Sequence, residues 1–254
     1  MAKGNKKDTN RLYYYCKLST AIEYILPRKQ LLLNPVGKTN DPRENKSFVF
    51  AKTYTFAGNY FLLDNPDYDV SQEIRKDCKM LCFSTDYKHF FGYEYSRMWA
   101  LYGDNHKGLC IELNKEKFIK ENSRFILQNF FKNVEYYEFD ISKPLKHITI
   151  DMDQIRELGL KDFVRNEFRP EHIDYLFFTK NKEWESEHEF RLIYFSDIIE
   201  NEYCNIQDCI ETIFLGIDFN ENYLPSILTK TPGIKTIKLD FKGVRLVPSK
   251  IFNG

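Results

Sequence analysis

The chain has 254 residues, 43% of them hydrophobic and 29% charged. At about 150 residues per domain this length gives one or two domains and still permits a single core. Lysine plus arginine number 37 and aspartate plus glutamate number 37, a formal net charge of zero. That balance excludes wholesale capture by nucleic acid or a membrane surface while leaving local basic patches open, and an aromatic share of 16% excludes a disordered chain.

Residues 1–11 form a polar leader carrying Lys3, Lys6, Lys7 and Arg11 and no apolar stretch, neither a secretory signal nor an anchor. Residues 12–254 are expected to form one globular domain. Leu12–Cys16 is an aromatic strand. Thr20 and Glu23 fit a capping box for a helix whose apolar face is Ile22, Ile25 and Leu26 and which Pro27 stops. A short strand, Leu31–Leu33, runs into Asn34-Pro35 and the turn Asn40-Asp41-Pro42. Phe48–Leu63 is ambiguous between helix and strand, Asn65–Asp69 reads as a loop, and Ser71–Asp77 opens a short helix. Met80–Ser84 is a buried strand, Ser96–Tyr102 a helix, Gly103–Gly108 a turn, and Leu109–Leu113 an alternating strand.

Lys115–Asn122 follows as a helix, and Phe131–Phe139 and Leu145–Ile150 as strands. Residues 152–178 read as two helices broken near Arg169-Pro170. His188–Tyr194, Thr212–Leu215 and Thr236–Phe241 are strands, with a helix after Asn220 between the last two. Helices and strands mix without a regular βαβ alternation, so the fold class is α+β: a single domain with a mixed, mostly antiparallel sheet and flanking helices. The six cysteines form no CxxC pair and lack histidines at zinc-ligand spacing. They are read as reduced core residues of a cytoplasmic protein with no bound metal.

Three places keep polar residues where a strand or turn would be bland. The first is Leu12-Tyr13-Tyr14-Tyr15 with Ser19, followed by Asn40-Asp41-Pro42; its plainer reading is a buried aromatic strand and a proline turn. The second runs from Cys82-Phe83-Ser84 through Arg97, Trp99 and Tyr102 to Asn105-His106-Lys107-Gly108. On a helix Trp99 and Tyr102 share a face, so they can stack on a planar base beside an arginine that meets a phosphate, or they fill the core. The third is Trp184–Arg191. As a strand it projects Glu185, Glu187, Glu189 and Arg191 from one face, with Lys180 and Arg191 compensating part of the charge. Either this is a solvated edge, or the carboxylates stabilise a cationic, oxocarbenium-like transition state.

Together and in this order, Leu12–Ser19, Asn40–Pro42, Cys82–Ser84, Met98–Tyr102, Asn105–Ile111 and Trp184–Arg191 resemble a prokaryotic family known as domain of unknown function 2971. The same order is distantly similar to that of ADP-ribosyltransferases, which set a His or Arg on the first strand, a Ser or Tyr on a middle strand and a Glu on a late one. The resemblance implies an ADP-ribosyltransferase-like fold with Tyr14 at the first position, Ser84 at the second and Glu187 or Glu189 at the third. Tyr14 departs from the histidine common there.

The function expected is an NAD-consuming enzyme, an ADP-ribosyltransferase or NAD glycohydrolase acting as a toxin or phage-defence effector. Glu189 and Glu187 are its catalytic carboxylates, Glu189 set near the ribose and Glu187 orienting an acceptor, and Tyr14, Ser84, Arg97, Trp99, Tyr102 and Arg191 are its NAD-binding residues. Its partners would be a nucleotide, a protein or nucleic-acid acceptor, and an antitoxin or operon partner, with no membrane. Two alternatives stand beside it: a nucleotide- or RNA-sensing module without turnover, and a nuclease holding Mg²⁺ on Asp41, Glu187 and Glu189.

Overall fold

Alternation along the opening segment sends Leu12, Tyr14 and Cys16 to one face and Tyr13 and Tyr15 to the other, and this segment is the central strand β1 (Arg11–Cys16). The computed structural model describes residues 10–36, 48, 50–53, 64–126, 130–138 and 148–253; the turn at residues 40–42 lies outside them. The remaining strands are β2 (Gln30–Pro35), β3 (Ala51–Thr53), β4 (Cys78–Ser84), β5 (Leu109–Asn114), β6 (Phe131–Asn133), β7 (Glu135–Tyr137), β8 (Thr149–Asp151), β9 (Thr179–Asn181), β10 (Glu189–Phe195), β11 (Glu202–Asn205), β12 (Ile210–Leu215), β13 (Lys235–Lys242) and β14 (Arg245–Asn253). Ten of them join one sheet, antiparallel except where β12 meets β13, and helices flank it. Residues 131–137 split at Val134 because β6 pairs with β10 while β7 runs parallel to β9.

Several local expectations are corrected. Thr20 and Glu23 lie within a helical segment spanning residues 18–28 and form no capping box, since Lys17 precedes the first turn with no side-chain bond. Pro27 does not stop that helix. The wide π-turn over Ala21–Ile25 gives its ring room that a regular i−4 carbonyl would deny it, and Lys29, at φ 52°, ends the segment. Asn65 is a helix cap rather than a loop residue. Its side chain accepts from the Tyr68 amide, and Pro66 opens the helix Pro66–Arg75. In residues 152–177 the break falls at Gly159 (φ 82°), and Arg169-Pro170 is crossed through a second π-turn, Phe163–Phe168.

The sheet divides at β4. One edge of this strand pairs with β10 along Cys78–Ser84. The other meets β2 at Lys79 and Met80 and β1 at Ser84, so residues 81–83 lie in the crotch between two diverging arms. Leu12, Leu81, Phe83, Phe190 and Leu192 pack one side of the sheet with β5, β11 and β12 residues. On the other side Tyr13, Tyr15 and Trp99 form a separate aromatic cluster, and the helices of residues 152–177 cover Met80 and Ile193. The fork leaves a hollow between these layers. Among the described residues no helix is long and apolar enough to cross a membrane.

Candidate functional site

The acidic segment is not the continuous strand its alternation suggests. Lys182–Glu187 winds as a 3₁₀ helix capped by Asn181, whose side chain accepts from the Glu183 amide. His188 then adopts φ 43°, and β10 begins at Glu189. The amide and hydroxyl of Thr85 both donate to the His188 carbonyl and pin the kink. Through this left-handed step, not through strand parity, Glu187 and Glu189 turn towards the same point. Glu185 is left outside the cavity wall. Neither is the segment a solvated edge, because β10 is paired on both sides and Glu187 and Glu189 are buried.

The point of convergence is Lys180 on β9. Its Nζ lies 2.8 Å from Glu187 Oε2 and 2.8 Å from Glu189 Oε2. Arg191 donates to Glu189 through Nε at 2.6 Å and Nη2 at 3.0 Å, and through Nη1 to the Phe177 carbonyl at 2.7 Å. Tyr102 donates its hydroxyl to Glu187 Oε1 at 2.9 Å. The result is a buried ladder from Tyr102 to Arg191 in which each carboxylate is met by a cation, as charges taken out of water require. Burial pushes the Glu189 carboxyl up, but Arg191 and Lys180 outweigh it, and the group sits at about 2. The Cys82 thiol beside it is raised well above its usual range by burial, Glu189 adding to the rise, and it donates to that carboxylate as a neutral group. Tyr136, next to Lys180 across the β7–β9 pairing, accepts the Glu189 amide on its hydroxyl at 2.9 Å.

This ladder forms one wall of a cavity of about 260 Å³ in the crotch of the sheet. Registered pairs across β1, β4 and β10 put Tyr13, Ser84 and Glu189 in one row on the same face, with Cys82 and Arg191 one step along. Ser84 Oγ is buried on that row and has no hydrogen-bond partner among the described residues, so it can bond a polar atom of a ligand. The three widely separated segments therefore do meet, and Tyr102, Ser84, Glu187, Glu189 and Arg191 all line one cavity.

Three placements differ from expectation. Trp99 is not a stacking wall: it is fully buried, donates Nε1 to the Tyr93 carbonyl and meets the Tyr15 ring edge-on at 5.1 Å. Arg97 is not in the cavity wall; it is exposed, bonds the Glu183 carbonyl and lies over the Trp184 ring. Tyr14 touches the cavity from the core side, its ring edge-on to Phe83 at 6.2 Å, because strand parity gives the site face to Tyr13 and Tyr15. Tyr136 carried no signal in the sequence. Lys180 was legible only as partial charge compensation, since its central position depends on β9 lying beside the kink. Of the proposed Mg²⁺ ligands, Asp41 is outside the described residues, and the Lys180 ammonium holds the place between Glu187 and Glu189 where a cation would sit.

No curated protein and no solved structure matches the chain. Residues 98–192, which contain Tyr102, Lys180, Glu187, Glu189 and Arg191, match the model of the family described as "Protein of unknown function (DUF2971)".

Proposed function

We propose that the cavity cleaves the N-glycosidic bond of a nucleotide, with NAD as the ligand, in a hydrolase or ADP-ribosyltransferase reaction. The observation that carries this reading is the gathering of two buried carboxylates on one cavity wall with the Ser84 hydroxyl, which has no partner among the described residues. When the bond between ribose and nicotinamide breaks, its electron pair leaves with the neutral base and the ribosyl carbon becomes cationic. A carboxylate fixed against that carbon stabilises it most where water is excluded. Water or an acceptor hydroxyl then forms the new bond and gives up a proton.

Glu187 is the better placed of the two carboxylates for that step. Both oxygens of Glu189 are engaged by Arg191, whereas Glu187 Oε1 accepts from the neutral Tyr102 phenol, which a ribose hydroxyl can replace. Glu189 then acts by holding Lys180 and so aiming Glu187. The cavity volume sits just below the roughly 300–1,000 Å³ of common ligand sites, room for a nucleoside half with the rest of a dinucleotide outside. NAD loss by this chemistry suits a cytoplasmic toxin or antiviral defence effector restrained by a partner protein.

The test is nicotinamide release from NAD by the wild-type protein and by Glu187→Gln. Release by the former and a loss of about 10²–10³-fold in the latter supports the reading. A second reading, nucleotide binding without turnover, is favoured by the ladder's internal neutralisation; NAD recovered intact from a stable complex would establish it instead.

A further inference from the structure

Beyond Ser84 the chain leaves the cavity through a turn in which Tyr87 and Phe90 exchange amide–carbonyl bonds, with Lys88 at φ 54°. The Tyr87 ring stacks on His188, the residue between the two glutamates, at 4.2 Å. The turn therefore begins beside the kink that carries Glu187 and Glu189. From there three aromatic rings run outward and each carries a cation: Lys88 over Tyr87 at 4.9 Å, Arg245 over Phe90 at 5.0 Å, and Arg11 over Phe91 at 4.9 Å. Phe90 is 49% and Phe91 38% exposed, large apolar rings for an open surface. Phe91 also stacks on Tyr93, and Tyr93 on the core residue Phe214, which fixes it in place.

The charge of this surface is layered. The side chains of Arg11 and Arg245 are 40% and 42% exposed, while their partners Asp86 and Glu94 are 8% and 3% exposed beneath them. The carboxylates hold the guanidinium groups from below, and the outward side is cationic and aromatic. Bases stack on guanidinium planes such as those of Arg11 and Arg245, which the Phe91 and Phe90 rings hold in place, and phosphates pair with the cations. A membrane offers nothing for rings held in this order, and an acidic peptide uses the cations but leaves the stacking positions idle.

We propose that the rim formed by the Tyr87–Phe91 turn with Arg11 and Arg245 docks a single-stranded nucleic acid. The docking itself is independent of the glycosidic reading; only the role of that strand as acceptor rests on it.

Fluorescence anisotropy with a labelled mixed-sequence 12-nucleotide single strand tests the docking on the full chain. With about three phosphates neutralised, the binding constant is expected to fall on the order of twentyfold between about 50 and 200 mM salt. The variant Lys88→Gln/Phe90→Ala, altered only at exposed positions of the turn, is expected to bind about tenfold or more weakly with an unchanged melting temperature. No binding at the lower salt, equal binding by that folded variant, or binding of an acidic peptide but not the oligonucleotide overturns the proposal. If the oligonucleotide binds as expected and NAD is never cleaved, the docking stands and the glycosidic reading alone fails.

Discussion

Glu187 and Glu189 hold a single ammonium between them, the Oε2 of each 2.8 Å from Lys180 Nζ. Two buried carboxylates this close repel unless a cation intervenes, so Lys180 makes the site foldable before it makes it chemical. Replacing it with Met is expected to cost about 3–5 kcal/mol, the usual consequence of leaving a buried charge uncompensated. Urea unfolding measures this. A loss below about 1 kcal/mol would show that water or another cation reaches the carboxylates and that the ladder is not closed.

The two glutamates are expected to separate when each is changed to Gln. Glu187→Gln keeps the Tyr102 contact, since an amide oxygen still accepts from the phenol, and loses mainly turnover. Glu189→Gln leaves the Arg191 guanidinium buried without its counter-charge and is expected to lose about 3–5 kcal/mol of stability. Melting and nicotinamide release on both variants decide the assignment. A stable Glu189→Gln protein with no turnover would return the reacting role to Glu189.

Acid sensitivity follows from the same carboxylate. Burial raises the Glu189 carboxyl, but Arg191 and Lys180 bring it down from its ordinary 4.5 to about 2. A group depressed on folding contributes stability that is complete above its unfolded value and is lost as pH falls through the folded one. The window is therefore pH 4.5 down to 2, and the loss across it is about 3 kcal/mol. Stability measured across that window should fall for the wild type, and the part due to this residue should be missing in Glu189→Gln.

Much of this site can be read from the sequence because its residues lie in short polar segments: Ser84 at the end of an apolar strand, Tyr102 at the end of a helix, Glu187 and Glu189 before Arg191. The α+β class and the central strands follow from alternation and apolar runs in the same way. What cannot be read locally are features set by partners distant in the chain. Trp99 and Tyr102 share a helical face on paper, yet the helix ends at Leu101, so Tyr102 turns to Glu187 while Trp99 stays against Tyr15. The left-handed His188 depends on Thr85, and the importance of Tyr136 and Lys180 depends on a two-stranded pairing, β7 with β9, that no periodicity announces.

Trp99 as a core residue has a direct consequence. Its side chain is fully buried, its Nε1 is satisfied by the Tyr93 carbonyl at 2.8 Å, and Gly103 packs so closely that a Cβ there would lie 2.6 Å from its ring. Trp99→Ala is expected to destabilise by about 3–5 kcal/mol through the cavity it leaves. Calorimetric melting checks this. A variant of wild-type stability with weakened nucleotide binding would instead restore Trp99 to the ligand.

Gly92 links this aromatic core to the cavity wall. A Cβ at that position would lie 2.2 Å from Cδ2 of Tyr13, and the Gly92 carbonyl accepts the Tyr15 hydroxyl. Tyr13 is pinned on its other side by its place opposite Ser84, so its ring has little room to yield. Gly92→Ala is expected to cost about 1–3 kcal/mol from overpacking. Because the displaced residue neighbours Ser84, nucleotide affinity should fall with it, whereas Gly159→Ala, where among the described residues no atom beyond the chain neighbours lies within 4 Å of the new Cβ, strains only its own positive φ and should leave affinity alone. Paired unfolding and binding measurements on the two variants test the link. An affinity loss in Gly159→Ala equal to that in Gly92→Ala would show that general destabilisation, not the Tyr13–Ser84 wall, sets binding.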